Sequence, residues 1–183
     1  MALLGGGTNG GGTLRLSRCW PATDAELKPL EFKLGYSFRD KAILRLALIH
    51  PSFGEMDNAR LTWLGDAVLG AAVSDLLFTA LPPNATTELL HNRRMELVRQ
   101  ESFAAGAARL GLQELLVVGK AYEGQVPTAR MLAEAFEAVW GALYEDAGLH
   151  LSAVKVVYSR LFPLAETTVA AVADGNGIAN GSA

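Results

Sequence analysis

Apolar residues in the middle of this chain recur at helical rather than strand spacing, and that period most narrows what it can fold into. Leu61, Leu64, Val68 and Ala71 follow the i, i+3, i+7 pattern, which gathers apolar side chains into one stripe of a helix and scatters them on a strand. The prediction is an all-α domain. Punctuation agrees with it. Ser37 precedes FRDKAILRLALI with Asp40 three residues on, as in a capping box, and Pro51 ends that helix. Asn58 opens the next run, to residue 78, and Leu81-Pro82-Pro83-Asn84 breaks it. Thr86 or Thr87 caps ELLHNRRMELV. Further helices are expected over 101–110, about 127–147 and 152–162, set apart by Gly111, Gly119, Gly124 and Gly148. No internal repeat is visible, which argues against a solenoid.

At 183 residues, half of them hydrophobic and 19% charged, the chain can bury one core, so a single domain is expected over 30–163. The flanks, 1–29 and 164–183, are rich in Gly, Ala and Asn and read as flexible tails, because such sequence buries too little apolar surface to offset its ordering entropy. The first stretch carries Arg15 and Arg18 and no acid before Asp24, a pattern shared with organelle transit peptides. The expected location is intracellular, with an organelle as one option. A net charge of −3 provides no global field for polyanions, so any nucleic-acid contact must come from a local basic patch or from metal ions. One cysteine, Cys19, excludes an intrachain disulfide framework. No apolar run looks long enough to span a bilayer, and no membrane partner is expected.

Two places are chemically odd. In ARLTWLGDAVLGAAV, Asp66 stands among Leu64, Ala67, Val68 and Leu69, where burying a lone carboxylate is costly unless it is paired or metal-bound. In ARMLAEAFEAVWGALY, Glu134 and Glu137 stand at i, i+3 on one helix face amid Leu132, Phe136, Val139 and Trp140. Two unit charges about 4 Å apart repel by about 4 kcal/mol at an effective dielectric of 20. Such a cluster either takes up a proton, binds a hard cation such as Mg²⁺, or is neutralised by pairing with Arg60, Arg94 or Arg130. Spacing does not choose between these.

The blocks HPSF (from His50), NARLTWLGDAVL (from Asn58) and AEAFEAVWGALYEDAG (from Ala133) resemble, in order and separation, those of the ribonuclease III endonuclease domain. The likeness runs from about Leu30 to Phe162 and includes the intervening RRMELVRQESFA. It implies an all-α nuclease domain that hydrolyses double-stranded or structured RNA with Mg²⁺, or Mn²⁺, in RNA processing. By position, Asp66 and Glu137 match the family's catalytic metal ligands, and Glu134 stands where an aspartate is usual. Trp63 matches an aromatic that packs into the partner subunit, which implies a homodimer. His91, Arg93, Arg94 and Arg99 form a basic cluster that either contacts RNA phosphates or is a solvated helix face; Arg94 and Arg99 match family positions and are the RNA-binding candidates. No double-stranded-RNA-binding domain is expected to follow Leu164.

The departures matter. Two glutamates of the family signature are Ala59 and Thr62 here, and Thr62 lies one helical turn before Asp66, on the same face. A neutral hydroxyl is a poor ligand for a hard cation. The alternative is therefore a non-catalytic RNA-processing or ribosome-associated module that keeps the fold, against which the three retained acids argue.

Overall fold

The computed structural model describes residues 18–164. Of the expected tails, 1–29 and 164–183, residues 1–17 and 165–183 lie outside the described residues. Among the described residues, seven α-helices follow in order: α1 (Asp24–Leu34), α2 (Lys41–Ala47), α3 (Ala59–Ala80), α4 (Thr87–Val98), α5 (Gln100–Leu110), α6 (Ala129–Asp146) and α7 (Leu151–Leu161). Among the described residues there is no strand; the sheet-like pairing is two isolated parallel bridges, from Arg18 and from Ile49 to Val117. The all-α expectation holds.

The domain is built on α6, against which α2, α3, α5 and α7 all pack, α3 most extensively. Eleven of its residues are buried, from Met131 to Asp146. An aromatic core follows it: Phe103 stacks on Phe136 (centroids 5.4 Å apart), Phe136 meets Trp140 edge-on at 5.8 Å, and Trp140 meets Tyr158 at 5.5 Å. Each fully buried large side chain of this kind stabilises the fold by about 1.5–3 kcal/mol. The crossing of α3 and α6 is closer than side chains permit. A Cβ on Gly65 would lie 1.8 Å from the carbonyl oxygen of Glu137, and one on Gly141 would lie 2.3 Å from that of Leu61. Two facing glycines therefore let the helix backbones touch.

Several boundaries need correction. The expected tail to residue 29 ends too late, because α1 begins at Asp24 and buries Leu27, Leu30 and Leu34 completely. Its N-cap is Thr23, whose hydroxyl accepts from the Glu26 amide while the Glu26 carboxylate accepts from the Thr23 amide. Ser37 does not cap α2; Asp40 does, accepting from the amide of Ala42. Thr86 caps α4. Asn58 precedes α3 without a side-chain cap and instead donates from Nδ2 to the carbonyl of Ala47. Contrary to the expectation from sequence, α3 is by length and composition long and apolar enough to cross a membrane. Its apolar stripe from Leu61 to Leu77 is nevertheless buried against this domain, and it carries Arg60, Asp66 and Asp75.

The last residue of α6, Asp146, ties the α1–α2 connection down. Its side chain is almost fully buried and accepts from the Tyr36 hydroxyl at 2.7 Å, the Arg39 amide at 3.0 Å and the Asp40 amide at 2.9 Å. Burial pushes its carboxyl up, but these donors and the Arg39 guanidinium outweigh that and hold it below the usual range. Asp146→Ala should strand the donors and destabilise the domain by about 3 kcal/mol. The wild-type advantage should be full above the unfolded carboxyl pKa of 3.8 and fade as pH falls through the lower folded value. Urea titrations of both proteins at neutral and strongly acidic pH measure this; an unchanged midpoint at neutral pH would refute it.

Candidate active site

The glycine crossing brings the three acids of the sequence reading to one place. Gly65, whose α-carbon faces the Glu137 carbonyl, precedes Asp66 on α3, while Glu134 and Glu137 come from the facing α6. Glu137 is half-buried, and its carboxyl is pushed up to about 7, first by burial and then by the negative charges of Asp66 and Glu134. Asp66 corrects the reading of a buried carboxylate. It is exposed and lines a shallow groove of about 400 Å³ between α3 and α4, with Ala67, Gly70, Ala71, Ser74, Arg94, Met95 and Val98.

Glu134 is differently placed. Its Oε1 accepts from Nε of Arg130, one turn earlier, at 2.8 Å, and its Oε2 lies 3.7 Å from Nε2 of His50. Of the pairings open at the sequence level, the one with Arg130 forms. Burial lowers the His50 pKa from its ordinary 6.5, against the pull of Glu134 and Asp57, and at 3.7 Å its ring is too far from the Glu134 carboxylate for a hydrogen bond. Among the described residues, no three acidic, histidine or cysteine side chains stand close enough to hold a metal ion as they are. The oxygen donor set still suits a hard cation, and the raised Glu137 carboxyl is the mark of acids whose repulsion a cation would relieve.

Thr62 is the position where the resemblance led us to expect an acid. Its hydroxyl donates to the main-chain carbonyl of Glu134 at 3.2 Å, so it fastens the two helices at the site and is itself occupied. Arg94 lines the groove beside Asp66, with no carboxylate partner among the described residues. Arg99 does not reach it. This residue sits at the junction of α4 and α5, with Nε 3.4 Å from the Ser102 hydroxyl and 4.0 Å from the Glu101 carboxylate. Arg93 pairs with Glu96 at 2.9 Å, and His91 lines the adjoining groove toward Phe78. The basic cluster of the sequence is thus divided, and Arg94 alone lines the groove that Asp66 lines.

The sequence offered Arg130 as one of three partners for the acids but gave His50 no place at the site. His50 has the look of an isolated loop residue, yet it caps the short 3-10 turn Pro51–Phe53, its Nδ1 2.9 Å from the Ser52 hydroxyl. That hydroxyl in turn accepts from the Gly119 amide at 3.0 Å. The signal was the HPSF block itself. Trp63 is 77% exposed and lines a hollow of about 590 Å³ with Ile43, Leu46, Arg60, Leu61 and Leu64. It is not a core residue of this domain.

Fold and site together define a helical domain with carboxylates of two crossing helices gathered at its surface. The model of the Ribonuclease-III-like family matches residues 40–164. The protein is 40% identical over 127 residues to Ribonuclease 3 of Nitratiruptor sp., covering 68% of this chain and 56% of that protein. It is 39% identical over 137 residues to that of Thiobacillus denitrificans, covering 74% and 60%. The solved nuclease domain of ribonuclease III from Campylobacter jejuni superposes with a TM-score of 0.69 at 36% identity, covering 74% of this chain and 94% of that one. The chain belongs to the ribonuclease-III-like family. It spans somewhat more than half the length of these full-length relatives.

Proposed function

We propose that this protein is an endoribonuclease that hydrolyses double-stranded or structured RNA with a divalent cation, Mg²⁺ or Mn²⁺. The observation that carries the reading is the Glu137 carboxyl, pushed up to about 7 by burial and by Asp66 and Glu134, in a domain 36–40% identical to ribonuclease III. Asp66 and Glu137 would hold the cation, with Glu134 as a third ligand. When bound, such a cation supplies an activated water and charge stabilisation for phosphodiester cleavage. Arg94 would contact an RNA phosphate in the groove that Asp66 also lines. Incubating a duplex RNA with the protein and Mg²⁺ or Mn²⁺ tests this; an intact duplex under both would leave the non-catalytic module as the better reading. That second reading is favoured by Thr62, whose hydroxyl is spent on the Glu134 carbonyl where the sequence resemblance calls for a carboxylate.

A homodimer belongs to the same proposal. Trp63 presents a large apolar surface left mostly open among the described residues, and the Campylobacter domain is described as having a region involved in dimer formation. Light scattering at micromolar concentration should give a dimer, and Trp63→Asp should give a monomer with an unchanged helical spectrum. A wild-type monomer would remove the pairing.

A further inference from the structure

The three site acids are near enough for Glu134 and Asp66 to raise the Glu137 carboxyl, yet the described residues gather no three such ligands. Of the three, Glu134 has a competing partner. Its Oε1 accepts from Nε of Arg130 at 2.8 Å, while the His50 ring stands 3.7 Å from Oε2. Its main chain is fixed by the Thr62 hydroxyl, so only the side chain is free to choose a partner. Arg130 sits at i−4 on the same helix, where oppositely charged side chains meet. It is largely exposed, with 78% of its side-chain surface open to solvent, so the pair is weak and can be broken.

Resting on the functional reading above, we infer that Arg130 is a competing cation that holds Glu134 away from the metal position, making Glu134 a conditional ligand and setting how much divalent cation the site requires. Arg130 is thereby a positioning residue that acts through Glu134. Two effects of its charge point the same way: it occupies one carboxylate oxygen directly, and it repels an incoming cation through space. The first depends on Glu134 and the second does not, which separates them experimentally.

The test is Mn²⁺ binding to the intact protein, followed by calorimetry and by the loss of the free Mn²⁺ paramagnetic signal, for wild type, Arg130→Gln, Glu134→Gln and the double variant. Arg130→Gln should tighten Mn²⁺ about two- to five-fold, the range that breaking an exposed pair allows, and should tighten it clearly less in the Glu134→Gln background, where only the through-space effect remains. Thermal melts without metal verify that each variant is folded. Unchanged or weaker binding by Arg130→Gln overturns the inference, as does equal tightening in the Glu134→Gln background, which would mean a through-space effect only. The two failures are distinct: if Glu137→Gln abolishes Mn²⁺ binding while Arg130→Gln changes nothing, the metal site stands and the competition falls. If wild type binds no Mn²⁺, both fall.

Discussion

Gly65→Ala is expected to abolish the native fold. The added methyl would sit 1.8 Å from the carbonyl oxygen of Glu137, and the obstacle is helix backbone, which cannot rotate aside as a side chain can. Relief requires α3 to lift off α6, which opens the most extensive interface of the domain. Overpacking that side chains can absorb typically costs about 1–3 kcal/mol, and this one exceeds it, at about 4 kcal/mol or more. Gly70 provides the control on the same helix. A Cβ there meets nothing within 4 Å, so Gly70→Ala should stabilise by about 0.5–1 kcal/mol through helix propensity. Circular dichroism melts of the two variants separate them; a Gly65→Ala protein that melts like wild type would mean the crossing is looser than described.

Glu137→Gln should have two opposite effects. Cleavage should fall by at least about 10²-fold, since the change removes a negative ligand at nearly constant volume. Stability without metal should rise. The Glu137 carboxyl is pushed up to about 7 in the folded protein from the 4.5 of an unperturbed glutamate, so the folded state holds its proton over a window in which the unfolded chain has lost it. Wild-type stability therefore falls as pH climbs from about 4.5 to about 7, and the full penalty persists above that. Gln carries no such penalty. Because the group is only half-buried, the gain at about pH 8 is discounted to about 1–2 kcal/mol, a rise in melting temperature of roughly 2–8 °C for a domain of this size. At about pH 4 the gain should vanish. A variant stabilised equally at both pH values would show that the acids do not repel one another, and wild-type cleavage would exclude Glu137 from the reaction.

The helical class was legible because burying one side of a helix imposes a 3.6-residue period on sequence, and Leu61, Leu64 and Val68 of α3 show it directly. Helix ends were legible wherever a side chain satisfies its own neighbours: Thr86 caps α4 by accepting from the amide of Leu89, a contact confined to four residues. Helix α1 escaped because Pro29 and five charged residues interrupt DAELKPLEFKL, although Leu27, Leu30 and Leu34 carry the period. The identities of the site acids came from motif order, since Asp66, Glu134 and Glu137 keep their places in blocks shared with a family.

Their surroundings were not legible. Whether Asp66 is buried depends on which face of α3 meets α6, and that face is set by the facing glycines Gly65 and Gly141, whose partners lie more than 70 residues away in the chain. Local sequence carries no record of such a meeting. The same holds for His50 against Glu134, for the division of the basic cluster between Arg94 and Arg99, and for Thr62 at the Glu134 carbonyl. Even the Arg130 pair, four residues from Glu134 and open to reading from sequence, was one choice among three arginines. Sequence by itself determined the period, the caps and the identity of the acids, because those are local or inherited as pattern. The tertiary structure decided exposure, charge state and partner, because each depends on distances between helices that only packing sets.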